Sequence, residues 1–192
     1  MSHTQDWRAR RWAETHQRIY DTAIRLFQES GFEQVSVSQI AAGAEVSVPT
    51  FYAHYASKEH LVMQLPTAEE LEALLSGQPA ELPVAERIRR AMPEWFSTWY
   101  PEYREAQLVR WKVIATTPSL RTRAAEFERT TAGMVVDALP RKSGDSLPPA
   151  DRVVVSAYLS AFTMGMLAWA DGDGERKLEE IVDEAFDALS GH

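Results

Sequence analysis

Residues 35–61, VSVSQIAAGAEVSVPTFYAHYASKEHL, constrain the fold of this chain more than any other segment. Ser36 precedes one short helical pattern, VSQIAAGA, and Ser47 precedes a second, which carries Pro49 in its first turn. Serine is a favoured helix N-cap, and proline is tolerated in the first turn because the amide there has no partner within the helix. The segment therefore predicts two short helices joined by a tight turn at about residues 44–47.

The rest of the chain is also predicted to be helical. Residues 12–30 contain no Gly or Pro and place Ile19, Ala23, Leu26 and Phe27 on one apolar stripe, and Gly31 supplies a stop. Further helices are predicted for SKEHLVMQL, TAEELEALLSG, VAERIRRAMPEWFSTWY (kinked or divided at Pro93), EAQLVRWKVIATT, SLRTRAAEFERTTAGMVVDAL, ADRVVVSAYLSAFTMGMLAWA and ERKLEEIVDEAFDAL. RKSGDSLPP, residues 141–149, is predicted to be a loop. The fold class is therefore all-α, with about nine helices.

Composition excludes several classes of protein. The chain has no cysteine, which excludes disulfides and Cys-ligated zinc. Its N-terminus has no apolar signal-peptide core, and no window approaches 18 uninterrupted apolar residues, so we expect a cytoplasmic protein without a membrane partner. Nucleophile elbows, phosphate loops, dinucleotide fingerprints and His-Glu-x-x-His zinc motifs do not occur, and the five histidines show no metal-ligand grouping. We therefore expect neither an enzyme nor a bound cofactor or metal.

About residues 16–61 resemble the N-terminal region of the TetR family of bacterial transcriptional regulators. The matching residues are Phe27, Gly31 and Phe32; Ser36, Val37, Ile40 and Ala41; Val46, Ser47, Thr50, Phe51, Tyr52 and Tyr55; and Ser57, Lys58, Glu59 and Leu61. Two positions depart from the family pattern, because Glu45 replaces the usual glycine of the turn and Pro49 replaces the usual glycine before Thr50. The resemblance implies a helix-turn-helix DNA-binding domain over residues 1–56 and a helical ligand-binding and dimerisation domain over residues 57–192.

The resemblance also implies which residues contact DNA. A recognition helix inserts its N-terminal residues into the major groove, so Val48, Pro49 and Thr50 are predicted to meet base edges. Tyr52, His54 and Lys58 carry donors for phosphates. The full set of candidates is Ser36, Ser38, Gln39, Ser47, Val48, Pro49, Thr50, Tyr52, His54 and Lys58. Phe51 and Tyr55 are predicted to face inward and hold the helices together.

The charge of the chain permits a local DNA-binding face but does not establish one. The net charge is -8, yet residues 1–60 are close to balance, with six Lys/Arg and seven Asp/Glu. Arg8, Arg10 and Arg11 form either an arm that reaches phosphates or the minor groove, or a solvated helix end, and the sequence favours neither.

The C-terminal two thirds are rich in large apolar side chains. The candidate ligand-binding residues are Trp95, Trp99, Tyr103, Trp111, Phe127, Tyr158, Phe162 and Met166. Apolar residues at helical spacing are also typical of an ordinary hydrophobic core. For any single residue, packing in the core is therefore the simpler interpretation. LVRWKVIATTPSLRTRAAEFERT and the MLAW ending resemble actinobacterial TetR regulators, some of which respond to acyl thioesters or other lipophilic molecules; this favours a small hydrophobic effector.

The last two helices are predicted to form a homodimer, as in TetR regulators. The candidate interface residues are Ala157, Ser160, Ala161, Gly165, Leu178, Ile181, Val182, Ala185 and Leu189. Small residues on one face let a partner helix approach closely, although some of these stripes must also complete the core of the single chain. The leading interpretation is a homodimeric repressor released from operator DNA by a small molecule. The alternative is a helical small-molecule sensor or adaptor without sequence-specific DNA binding.

Overall fold

The computed structural model describes residues 2–139 and 146–190 of the chain. Within these residues there are ten α-helices, two short 3-10 helices and no strand, which confirms the predicted all-α fold class. The chain forms two compact units, the first ending at Gln64 and the second beginning at Leu65. The division predicted between residues 56 and 57 lies inside the first unit.

The first unit contains four α-helices. They are α1 Ser2–Ser30, α2 Val37–Gly43, α3 Val48–His54 and α4 Lys58–Val62, with a 3-10 turn at Phe32–Gln34 between α1 and α2. The predicted end of α1 before Gly31 is confirmed, and Gly31 has a φ of 81°, in the region that favours glycine. The helix begins ten residues earlier than predicted, at Ser2 rather than at residue 12, because no Gly or Pro interrupts the preceding residues.

Serine N-caps begin the three short helices, and those at Ser36 and Ser47 were predicted from the sequence. The backbone N–H groups of Gln39, Thr50 and His60 donate to the hydroxyl oxygens of Ser36 (3.2 Å), Ser47 (3.1 Å) and Ser57 (3.3 Å). Each bond satisfies an amide that the first turn of a helix leaves unpaired, which is worth about 1 kcal/mol. Local chemistry alone therefore fixes where α2, α3 and α4 begin.

The core of the first unit holds α3 against α1. Phe51 of α3 is fully buried and Tyr55, directly after α3, is buried, which confirms their predicted inward orientation. The Tyr55 hydroxyl donates to the His16 carbonyl oxygen of α1 at 3.1 Å, and the Arg18 guanidinium of α1 donates to the Ala44 carbonyl oxygen at 2.9 Å. These contacts orient α3 relative to α1.

The second unit contains the remaining six α-helices. They are α5 Ala68–Ser76, α6 Val84–Ser97, α7 Pro101–Thr116, α8 Pro118–Ala138, α9 Pro149–Asp171 and α10 Leu178–Asp187. Proline occupies the first turn of α7, α8 and α9, where its missing N–H breaks no hydrogen bond. The predicted loop at residues 141–149 falls partly outside the described residues, and α6 continues through Pro93 without the division that proline made plausible.

Helix α9 is at the centre of the second unit and packs against α6, α7, α8 and α10. Its VVV segment is helical, as predicted. By length and composition α9 is apolar enough to cross a membrane, a test that the core helix of a water-soluble protein also passes. The contacts with four neighbouring helices account for its apolar composition.

Candidate nucleic-acid interface and second-unit sites

The predicted DNA-contacting residues lie mainly on the surface that α2 and α3 present to solvent. Seven of them are exposed: Ser36, Ser38, Gln39, Ser47, Val48, Pro49 and Tyr52. Thr50, His54 and Lys58 are half-buried. The caps at Ser36 and Ser47 place the first turns of both helices on this surface, so unpaired backbone N–H groups are available there to an anion such as a phosphate.

The N-terminus of α3 carries apolar groups and hydroxyls side by side. Val48 is 36% exposed, and Pro49 next to it is exposed in the first turn. The hydroxyls of Ser47 and Thr50 are hydrogen-bonded to each other at 2.7 Å, so each holds the other in a fixed orientation. Apolar side chains can contact a thymine methyl and hydroxyls can donate to or accept from a base edge, so this turn has the chemistry for major-groove recognition.

Tyr52 has the most exposed large side chain of the predicted set. It is 53% exposed, while its ring packs edge-on against the buried Phe51 ring at 5.5 Å between centroids. The contact holds the ring in place and leaves the phenol in solvent. A fixed phenol is a suitable donor to a phosphate oxygen.

The Lys58 ammonium makes contacts within the first unit that the sequence did not reveal. It donates to the Phe32 carbonyl oxygen at 2.9 Å and to the Val35 carbonyl oxygen at 3.2 Å, and it lies 4.3 Å from the centre of the Phe32 ring. An ammonium has three N–H donors, so at most one remains for a phosphate. The predicted phosphate contact is therefore secondary to a structural role.

His54 is directed at α1 rather than outward. Its ring lies 4.7 Å from Trp12 and 5.6 Å from His16, and Nδ1 is buried without a hydrogen-bond partner. Burial lowers the pKa of His54, so the ring is neutral at pH 7. This geometry does not support the predicted phosphate contact and instead assigns His54 to the packing of α1 against α3.

The turn between α2 and α3 holds Glu45 in a left-handed conformation. Its φ is 53°, one of two positive φ values at non-glycine residues in the described chain. The Glu45 and Val46 N–H groups donate to the carbonyl oxygens of Ala42 (3.1 Å) and Ala41 (2.9 Å), which closes the turn around this residue. The departure from glycine seen in the sequence therefore falls where glycine would be least strained.

Some predicted ligand-binding residues form one aromatic cluster in the second unit. Trp95 lies 5.0 Å from Trp99 and 5.7 Å from Phe162, and Trp99 lies 5.3 Å from Tyr103, measured between ring centres. Phe96, which the sequence analysis did not select, lies 6.4 Å from Phe162 and joins the same cluster.

Other predicted ligand-binding residues lie elsewhere. Tyr158 packs against Phe186 of α10, with 4.8 Å between ring centres, and Met166 is fully buried. Trp111 lies beneath the Arg110 guanidinium, and Phe127 is half-buried on α8.

An open groove of about 620 Å³ is lined by Glu69, Glu72, Ala73, Ser76, Asp137, Ala138 and Leu139, none of which was predicted to bind ligand.

Four of the predicted dimer residues are buried in the core of their own chain. They are Gly165, Leu178, Ile181 and Val182. A Cβ on Gly165 would lie 3.1 Å from Val182 Cγ2, so the small residue serves the close approach of α9 to α10 within the chain. Gly165 and the side chains of Leu178, Ile181 and Val182 therefore pack within their own chain, and this burial does not support the predicted contact with a partner.

The other predicted dimer residues are accessible. Ser160 and Leu189 are exposed, and Ala157, Ala161 and Ala185 are half-buried. Two large apolar residues that the sequence analysis missed, Val153 and Met164, are 68% and 62% exposed on α9. Helical spacing places Val153, Ser160 and Met164 along one face of α9.

No group of three or more His, Asp or Glu residues in the described part of the chain could hold a metal ion.

Comparison with known proteins gives two family matches. Residues 19–65 match the family described as bacterial regulatory proteins, tetR family, and residues 82–192 match the family described as the MftR C-terminal domain. The second match alone covers more than half of the chain. The first match covers most of the first compact unit, and the second covers most of the second unit.

The similarity to two known regulators extends over nearly the whole chain. The putative mycofactocin biosynthesis transcriptional regulator MftR of Mycobacterium tuberculosis is 28% identical over 190 residues, covering 94% of this chain and 91% of that protein. The transcriptional regulator TcmR of Streptomyces glaucescens is 25% identical over 198 residues, covering 95% of this chain and 85% of that protein.

Among solved structures, NalD of Pseudomonas aeruginosa, the secondary repressor of the MexAB-OprM efflux pump, matches with 21% identity and a TM-score of 0.56 over 91% of this chain and 96% of that one. At this identity the likeness shows the fold alone.

Proposed function

This chain belongs to the TetR family of bacterial regulatory proteins, and we propose that it is a homodimeric cytoplasmic repressor that a small hydrophobic ligand releases from operator DNA. Family membership makes it a transcriptional regulator with a helix-turn-helix DNA-binding domain. The dimer, the ligand class and the residues at each site are the parts proposed here.

The exposed N-terminal turn of α3 carries the DNA-binding proposal. Val48 and Pro49 offer apolar contact to bases, and Thr50 offers a hydroxyl held by Ser47. Tyr52 and the N-termini of α2 and α3 supply donors for the phosphates on either side of the groove. Ser38 and Gln39 are further candidates, and Gln39 already uses its Oε1 to accept from the Ser36 N–H at 2.8 Å, which leaves its NH₂ group for DNA.

A dimer is required by the geometry of operator recognition. Two recognition helices of a symmetric dimer reach half-sites one helical turn of DNA or a multiple of it apart. We propose that Val153, Ser160 and Met164 on α9, with Leu189 after α10, are at the centre of the contact between protomers. Exposed large apolar residues on one helix face are costly in a monomer and favourable in an interface.

The aromatic cluster supports a hydrophobic effector in the second unit. Trp95 of α6, Trp99 between α6 and α7, and Phe162 of α9 together present large apolar surfaces. Ligand sites between helices are lined mainly by such side chains. Binding there would favour a conformer of the second unit in which the two recognition helices are wrongly spaced for the operator.

Coupling between ligand and operator is reciprocal. A typical coupling free energy is about 1–3 kcal/mol, so ligand would weaken DNA binding by about 5–150-fold and DNA would weaken ligand binding by the same factor.

The proposal is tested by selecting random duplexes with the purified protein and titrating the recovered sequence against salt. We expect an inverted repeat whose binding weakens steeply as salt rises, because phosphate contacts release counterions. Tyr52→Ala should weaken binding to this duplex further. The control is Tyr100→Ala, which removes an exposed tyrosine of the second unit and should leave binding to the duplex unchanged. Lack of enrichment at low salt by a folded dimer would refute operator recognition.

One observation favours the alternative of a sensor or adaptor without sequence-specific DNA binding. His54 and two of the three Lys58 donors are engaged inside the first unit, and Glu45 adds a negative charge beside α3. A protein of that kind would bind all duplexes equally weakly at moderate salt. The same selection experiment separates the two functions.

A further inference from the structure

Arg87 is a buried charge, and two of its guanidinium nitrogens have no hydrogen-bond partner in the described part of the chain. It lies near the start of α6 and is 3% exposed, and Val84, Ile88 and Ala91 of the same helix are also buried. Neither Nε nor Nη2 of the guanidinium has a hydrogen-bond partner among the described residues.

Neighbouring arginines on α6 have partners. Arg89 is paired with Asp187 of α10, and this hydrogen bond raises the pKa of Arg89. Arg90 is paired with Glu86 at 2.8 Å. Burial lowers the pKa of Arg87, with no carboxylate acting against it. Arg87 therefore differs from both neighbours, because no carboxylate among the described residues pairs with it.

The carboxylates closest to Arg87 on the same helix are already in use. Glu86 binds Arg90, and Glu94, two turns further on, accepts from the Gln78 amide at 3.0 Å. A buried guanidinium stays protonated, and its N–H donors carry a desolvation penalty unless an acceptor meets them. A buried guanidinium of this kind is suited to bind an anion that comes from outside the chain.

The aromatic cluster begins on the same helix. Trp95 follows Arg87 by eight residues, which corresponds to about 12 Å along the axis of α6. Trp95 in turn contacts Phe162 of α9. A ligand with an anionic group at Arg87 and an apolar chain of medium length can therefore reach the cluster.

We propose that Arg87 binds the oxyanion head group, a carboxylate or a phosphate, of an amphipathic effector whose apolar part packs against Trp95 and Phe162. A guanidinium is suited to this because it binds such groups through two parallel hydrogen bonds. The inference rests on the proposed function, since it defines the chemical class of the ligand that releases the protein from DNA.

The first test uses the ligand-free protein and needs no ligand. Arg87→Met replaces the unpaired charge with an apolar side chain of similar length, so its Tm should be higher than that of the wild type. Arg90→Met is the matched control, because it removes an exposed, paired arginine from the next turn and should leave the Tm unchanged or slightly lower. An Arg87→Met protein with an unchanged or lower Tm would show that Arg87 is satisfied within the chain, and would overturn the proposal.

The second test measures binding of dodecanoate, dodecyl phosphate and dodecanol by calorimetry, below the concentrations at which they form micelles. The wild type should bind at least one of the two anions at least about tenfold more tightly than dodecanol. Arg87→Met should lose this preference while still binding dodecanol, Arg87→Lys should keep part of it, and Arg90→Met should keep all of it. The stronger of the two anions identifies the head group.

Two results of this second test would overturn the assignment: a wild type without preference for either anion, and an Arg87→Met protein that keeps the preference. Operator binding by the same proteins separates this inference from the proposed function. If the wild type binds a selected duplex but shows no preference for an anion, only the proposed anion binding by Arg87 is refuted. If the protein binds anions through Arg87 but selects no duplex, the proposal that it is a repressor is refuted. The assignment of Arg87 as an anion-binding residue then still holds.

Discussion

Glu45 offers a direct test of the turn that positions α3. Its φ of 53° places a residue with a Cβ in the left-handed region, which costs about 1–2 kcal/mol relative to glycine. Glycine gains about 0.5–1 kcal/mol of extra freedom in the unfolded chain, which offsets part of that relief. Glu45→Gly should therefore have a free energy of unfolding about 0.5–1 kcal/mol higher than that of Glu45→Ala.

The comparison of Gly with Ala isolates the backbone, because both variants remove the carboxylate. Urea denaturation followed by circular dichroism measures the difference in the free energy of unfolding. Both variants should also bind duplex DNA more tightly than the wild type and to the same extent, since each removes one negative charge beside α3. A Glu45→Gly protein no more stable than Glu45→Ala would refute the left-handed turn.

Three further predictions concern the contacts around α3 and the exposed face of α9. Lys58→Met should lower the free energy of unfolding by about 1–3 kcal/mol in urea, because two carbonyl oxygens lose an ammonium donor; a variant as stable as the wild type would contradict this. Burial lowers the pKa of His16 and of His54 below the ordinary value of 6.5, so the unfolded chain binds more protons and stability should fall as the pH drops below that value. Replacing both histidines with Gln should flatten the profile of Tm against pH between about 6.5 and 5, and an unchanged profile would exclude them as its source. Met164→Glu should shift the protein from dimer to monomer in analytical ultracentrifugation, whereas a dimer of unchanged affinity would exclude this face of α9 as the interface.

Features set by neighbouring residues could be predicted from the sequence. Ser36 and Ser47 form caps with backbone groups three residues away, and Gly31 ends α1 by its own conformational preference. The inward orientation of Phe51 followed from helical spacing and from the family pattern. Such interactions are contained within one or two turns of helix, so the sequence displays both partners together.

Features set by distant residues could not be predicted in the same way. Lys58 binds carbonyl oxygens 23 and 26 positions earlier in the chain, and no local pattern shows that its charge is used there. Gly165 was assigned to a partner chain because a small residue indicates close approach, but its neighbour is Val182 of the same chain. Arg87 has the spacing of a core residue and the chemistry of a surface one, and only the packed structure decides between them.

The central claim, that the N-terminal turn of α3 reads DNA sequence, is tested most directly by base preference at the selected operator. Affinities of the wild type, Val48→Ala and Tyr52→Phe would be measured for the operator and for each single base-pair change in it. Val48→Ala should relax the preference at one or two symmetry-related base pairs by about 1–3 kcal/mol, and Tyr52→Phe should weaken all duplexes equally. A Val48→Ala protein with the same preferences as the wild type at every position would contradict base recognition by this turn of α3.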